Sequence, residues 1–173
     1  MSDVSSKYPQ YTHDYDLVCS NKGKASWLEE IRQPAWSVFN NIGFPTARRG
    51  NEKWKYTDIR PIANQTFIYG PTSSSDKSLE LNSLDNIIPN ADGWINLVFI
   101  DGVYQSDASE KYLDSVEVST LSEAFENHEE LVKKYLGREA VYSDDGFTAL
   151  NTAFIEDGAF VLGKASSESN SVV

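Results

Sequence analysis

Cysteine is almost absent. Cys19 is the only one in 173 residues, so the chain forms no internal disulfide and offers no cysteine-based metal site. Histidine is nearly as scarce, with His13 and His128 alone. Cations are outnumbered, 15 Lys and Arg against 26 Asp and Glu, for a formal net charge of −11. That balance disfavours general attraction to DNA, RNA or an anionic membrane. Long apolar runs are missing too: the best, about Trp94 to Ile100, is far short of the roughly 20 residues that cross a bilayer. The opening "MSDVSSKYPQYTHDYD" lacks the basic-then-apolar order of a secretory signal, and its aspartates argue against a transit peptide. These absences leave a soluble, cytoplasmic protein as the expectation, with no nucleic-acid or membrane partner.

What is present suffices for a core. The chain is 40% hydrophobic and 12% aromatic, which makes wholesale disorder unexpected. Residues 1–24 are polar and without period, and read as a flexible tail. Ser26 and Glu29 have capping-box spacing, and Trp27, Leu28, Ile31, Ala35, Val38, Phe39 and Ile42 follow at helical spacing. Gly43 ends that helix, Pro45 prevents its resumption, and Pro34 should kink or split it. After a Ser/Pro/Gly-rich connection, "WINLVFIDGVYQS" reads as a hairpin whose tight primed turn is Asp101-Gly102. "VEVSTLSEAF" suggests a short strand entering a helix, which continues through "NHEELVKKYLG". Another short helix precedes an Asp157-Gly158 turn and a strand start. The tail 163–173 reads as disordered.

The stretch "RRGNEKWKYTD" concentrates cations and aromatics in an acidic chain. A nucleic-acid grip would use Trp54 and Tyr56 for stacking and the cations for phosphates. The charge balance opposes it, and no RNP-like pattern accompanies it. The favoured alternative packs Trp54 and Tyr56 on the domain while Lys53 and Lys55 reach outward. Catalysis finds less support. His13 and His128 lie near no recognisable nucleophile motif, and the pairs Glu29-Glu30, Glu129-Glu130 and Asp144-Asp145 read as solvated faces. Cys19 reads as an exposed thiol, with a redox or cluster-transfer role as the alternative. A binding surface is the third possibility: the strand after Asp157-Gly158 is an edge in need of a partner.

"GFPTARRGNEKWKYTDIRPI" resembles the N-terminal segment of the SufB/SufD family, SufD in particular, through Gly43, Pro45, Arg48, Glu52, Trp54, Lys55, Tyr56 and Thr57. Two later pieces agree in order: "LVFIDGVYQSDAS" with Asp101 and Gly102, and "FTALNTAFIEDGAFV" with Leu150, Asn151, Ala153, Phe154, Asp157 and Gly158. The resemblance covers roughly residues 26–162. It implies a non-enzymatic scaffold subunit of the SUF iron–sulfur cluster assembly machine, with SufB-like and SufC-like partners. It also implies an N-terminal α/β region ahead of a β-helix core. After Val161 the sequence departs from the family pattern, so no functional position of that core carries over. No catalytic, cofactor-binding or metal-binding residue is expected in this chain; the cluster belongs to the family's complex.

The expected fold is α+β: N-terminal helices packed with a small antiparallel sheet or hairpin around 94–105, helices at 120–136 and 147–155, and one domain over 25–162. The expected function is a non-catalytic scaffold domain lacking the β-helix core, either a fragment or a truncated relative. The alternative is a free-standing protein-interaction module that has lost the core; an acidic hydrolase using a carboxylate pair is a third, weaker reading. Trp54 is expected to anchor the turn between helix and sheet, at a cost of about 3–5 kcal/mol for its removal if fully buried. Arg48 and Glu52 are expected to form a local ion pair.

Overall fold

The computed structural model of the chain describes residues 8–20, 25–47, 52–69, 94–105, 112–113 and 116–163. They divide between two compact units, each assembled from separated spans: Met1–Phe67 with His128–Glu156, and Ile68–Asn127 with Asp157–Val173. The class is α+β, as expected. The chain passes between these units three times.

The first unit begins with an unexpected helix. α1 spans Pro9–Ser20, inside the stretch read as a flexible tail. Proline suits a first helical position because no amide donor is lost there. Tyr8, Tyr11, Tyr15 and Val18 then recur on one face, and Tyr15 and Val18 are buried. Next comes a 3₁₀ turn over Ser26–Leu28 leading directly into α2, Glu29–Ile42. Neither start carries a side-chain cap, so the Ser26/Glu29 box is not formed. Pro34 lies inside α2, which continues through it rather than splitting. Gly43, with φ of 68°, ends the helix, and its amide donates to the Phe39 carbonyl at 2.7 Å.

α2 packs against α6, Gly146–Ala153, which is capped by Asp145. Around this pair two clusters form. Phe39, Phe44, Ile59 and Ala149 are the buried centre of one, with Tyr8, Tyr11, Trp36, Trp54 and Phe147 against it. Tyr15, Ala35 and Ala153 are the centre of the other, with Cys19 and Phe154 against it. Buried Arg32 donates from Nε to the Ile155 carbonyl at 2.8 Å, and from Nη2 to the same oxygen. This satisfies a carbonyl just beyond α6 and the guanidinium together. Short helices α3, Arg60–Ala63, and α5, Glu129–Tyr135, complete the unit.

The second unit holds the strands and α4. β1, Phe99–Ile100, and β2, Val103–Tyr104, form the expected hairpin, with Phe99 opposite Tyr104 and Ile100 opposite Val103. Asp101 and Gly102 both have positive φ, 49° and 82°. A two-residue primed turn requires that, and Asp-Gly tolerates it. A second sheet has the order β3-β4-β5, all antiparallel: Tyr112–Leu113, Val116–Thr120 and Ala159–Gly163. β4 runs straight into α4, Leu121–Asn127. There Thr120 Oγ1 accepts from the Glu123 amide at 3.2 Å, and Glu123 accepts from the Thr120 amide at 3.0 Å. This reciprocal box is the cap expected near Ser119 or Thr120. The helix expected over 120–136 is broken at His128, the residue before α5.

Candidate functional site

Glu52–Trp54 form one 3₁₀ turn, closed by the Thr57 amide donating to the Trp54 carbonyl at 3.1 Å. Trp54 lies with its ring 5.2 Å from that of Phe147, tilted by 38°. Beside it, the Asp145 carboxylate accepts the Thr148 amide at 2.9 Å and so caps α6. Lys53 Nζ stands 3.6 Å from Asp144. The turn is thus fastened to the start of α6 by a ring contact and an ion pair. Gly43 meets the same helix end, because a Cβ on Gly146 would overlap the Gly43 carbonyl oxygen. Two of the three sequence pieces singled out above therefore converge on one joint.

Trp54 is half-buried, not fully interior, and Tyr56 is 90% exposed, so the packing expected of Tyr56 is not observed. The reason is local. A turn of three residues presents only one side to the unit, and Trp54 occupies it. We expect Trp54→Ala to lower unfolding free energy by about 2 kcal/mol, below the figure for a fully buried indole. Urea unfolding measures it.

Among the described residues, the cations of this stretch do not form an open shelf. Lys53 faces Asp144, Lys55 contacts Glu52 at 3.4 Å, and Arg60 holds Asp58 through two bonds of 2.8 and 2.7 Å. The guanidinium bonds hold the Asp58 carboxyl down to about 2. Lys55 Nζ also lies 5.3 Å over the Tyr56 ring. Every Lys and Arg among the described residues 52–60 is matched by a carboxylate, which leaves no array for phosphates. Arg48, and the ion pair expected between it and Glu52, lie outside the described residues.

The remaining motif positions are chiefly joinery. Gly43 is buried and Pro45 half-buried, while Thr57 and Asn151 are exposed. Leu150 packs on the Phe39 cluster, Ala153 is fully buried, and Phe154 meets the rings of Tyr15 and Trp36 at 6.0 and 6.1 Å. Asp157 accepts from the amides of Ser122 and Gly158 at 2.9 and 2.8 Å, bracing the entry to β5. Asp101 and Gly102 make the hairpin turn.

His13 is exposed and His128 half-buried beside α5. Glu129 and Glu130 engage Lys133 at 2.7 and 3.8 Å, so that carboxylate pair is an ion-pair partner. Cys19 is half-buried rather than exposed, and burial raises its thiol pKa. A raised pKa means little thiolate at neutral pH and poor nucleophilicity. Among the described residues no three His, Cys, Asp or Glu side chains gather as a metal site. A cleft of about 450 Å³ lies between α2 and the end of α5, lined by Trp27, Ile31, Lys133, Leu136, Arg138 and Tyr142. It holds no nucleophile paired with a base, so its chemistry is that of contact.

Asp145 provides a pH test. The Thr148 amide, the Trp54 indole and Lys53 hold its carboxyl below the usual 3.8. A lowered folded-state pKa gives stability that is complete above the ordinary value and lost as pH falls through the lowered one. Wild type should therefore lose stability more steeply than Asp145→Asn as pH falls below about 4, as read by melting temperature against pH.

Comparison with known proteins matches the family model described as the SufBD protein N-terminal region to residues 4–166. An iron-sulfur cluster assembly SufBD family protein of Synechocystis sp. is 27% identical over 165 residues, covering 84% of this chain and 33% of the relative. A chloroplastic protein of that designation from Arabidopsis thaliana is 28% identical over 163 residues, covering 83% and 28%. One from Porphyra purpurea is 28% identical over 163 residues, covering 83% and 32%. The chain spans about a third of the length of these relatives. No solved structure matches. Among the described residues no helix is long and apolar enough to cross a membrane.

Proposed function

The chain belongs to the SufBD family, and from that premise we propose that it is a non-catalytic interaction region serving iron–sulfur cluster assembly. The observation that carries the reading is the match over residues 4–166, the greater part of the chain. The relatives' names supply the process. The geometry supports a contact role: the described motif residues make a joint between a turn and two helix ends, and none of these is poised for acid–base or nucleophilic work. On this reading its partners are SufB-like and SufC-like subunits, and the region itself behaves as a SufD-type scaffold in the cytoplasm. The iron–sulfur cluster is cargo of the complex, not a resident group of this chain.

Tagged protein co-expressed with the SufB-like and SufC-like subunits of its own organism tests the proposal. Co-elution of either subunit, together with lowered iron–sulfur enzyme activity when the gene is deleted, is the expected result. Failure of both would overturn it, and would favour the free-standing interaction module outside cluster assembly.

A further inference from the structure

β5 is the last described element, and it forms one edge of its sheet. The Leu121 amide donates to the Gly158 carbonyl at 2.7 Å, making Leu121 and Gly158 a hydrogen-bonded pair in the β4–β5 register. Antiparallel pairs alternate, so Phe160 and Leu162 direct their main-chain groups toward β4. Those of Ala159, Val161 and Gly163 point away from it. Among the described residues no strand pairs with this outer row.

The edge is also unprotected. Natural sheets blunt exposed edges with lysine, proline, a bulge or an inward charge. "AFVLG" contains none of these, and Val161 is 49% exposed. Side-chain exposure alternates strictly along it, with Phe160 and Leu162 half-buried and the other three exposed. A straight, uncharged strand of this kind is a template for one more strand.

Charge selects what that strand is. Among its described residues the unit that holds β5 carries Asp101, Glu117, Glu123, Glu126 and Asp157 and no Lys or Arg. Two copies joined edge to edge would bring two strongly acidic units together, and repulsion opposes this. An extended segment rich in Lys or Arg gains the same main-chain bonds with favourable field. We infer that the outer edge of β5 is a docking site for an extended basic segment of another protein, which adds to the sheet as a strand beside Val161. This goes beyond the family reading and does not depend on the process served.

The probe is a fluorescein-labelled peptide of about ten residues alternating lysine with valine, titrated into the full chain and followed by anisotropy. Saturable binding is expected, with slowed amide exchange at Ala159, Val161 and Gly163. A glutamate–valine peptide of equal length should bind at least roughly tenfold more weakly, and raising salt from about 50 to about 500 mM should weaken the lysine peptide by a similar factor. Val161→Pro removes an amide that faces away from β4, so the sheet is spared while docking is lost; retained amide protection in β4 verifies the fold. Binding that survives Val161→Pro, or leaves exchange in β5 unchanged, overturns the inference as mere attraction to an acidic surface. It is equally overturned by a dimer that strengthens with salt, or by peptide binding that appears only after residues 164–173 are deleted.

Discussion

Replacing Phe39 by alanine should lower the free energy of unfolding by about 3–5 kcal/mol. The side chain is fully buried at the centre of a ring cluster, with centroids of Tyr8, Phe44, Trp36 and Tyr11 at 5.2, 5.2, 5.8 and 6.0 Å. Truncation removes the transfer energy of a ring and leaves a void walled by rigid planar groups. Flat rings cannot flow into a gap as methyl groups do, so the cavity persists and its cost adds to the transfer loss. Edge-to-face contacts with Tyr11 and Phe44 are lost as well, each of them worth about 0.5–1.5 kcal/mol. A domain whose total stability is about 5–15 kcal/mol would sit close to its unfolding threshold. Urea titration gives the number, and Phe39→Leu should recover more than half of the loss.

Gly146→Ala ranks second, at about 3 kcal/mol or more. Here the obstacle is main chain against main chain. The new Cβ would overlap the Gly43 carbonyl oxygen and lie 2.9 Å from its carbonyl carbon and 3.5 Å from the Phe44 Cα. None of these atoms belongs to a side chain that can rotate aside. Relief requires α6 to withdraw from the end of α2, opening the contact of Phe44 with Phe147, whose rings are 5.2 Å apart. The gain in helix propensity from alanine, about 1 kcal/mol, is outweighed. Thermal unfolding provides the measurement. Asn151→Ala on the exposed face of the same helix should change stability by no more than about 0.5 kcal/mol, showing that the loss comes from close approach.

Local signals predicted local structure well. The Asp101-Gly102 hairpin, the end of α2 at Gly43, the strand-to-helix passage at Thr120 and the position of α6 all follow from turn chemistry or period. α1 was overlooked because its composition is polar. Its signal lay in the spacing of Tyr8, Tyr11, Tyr15 and Val18, with Pro9 at the first helical position. The pairing of β4 with β5 joins segments some forty residues apart, such as Val118 and Val161, and no window along the chain reveals it. The convergence of Trp54 on Asp145 and Phe147 is likewise non-local. The motif marked both halves of that joint but not their meeting, and it could not show that Tyr56 faces solvent. Charge counting opposed a nucleic-acid grip, and in the structure each described cation of the stretch has its own carboxylate.

The interleaving of the two units has a consequence for the protein as it is made. Phe39 and Phe44 leave the ribosome long before Phe147 and Ala149, the residues that cover them. At about 5–20 residues per second, those rings wait roughly 5–20 s without their lid. The Phe39 cluster of a nascent chain therefore cannot close fully until α6 emerges.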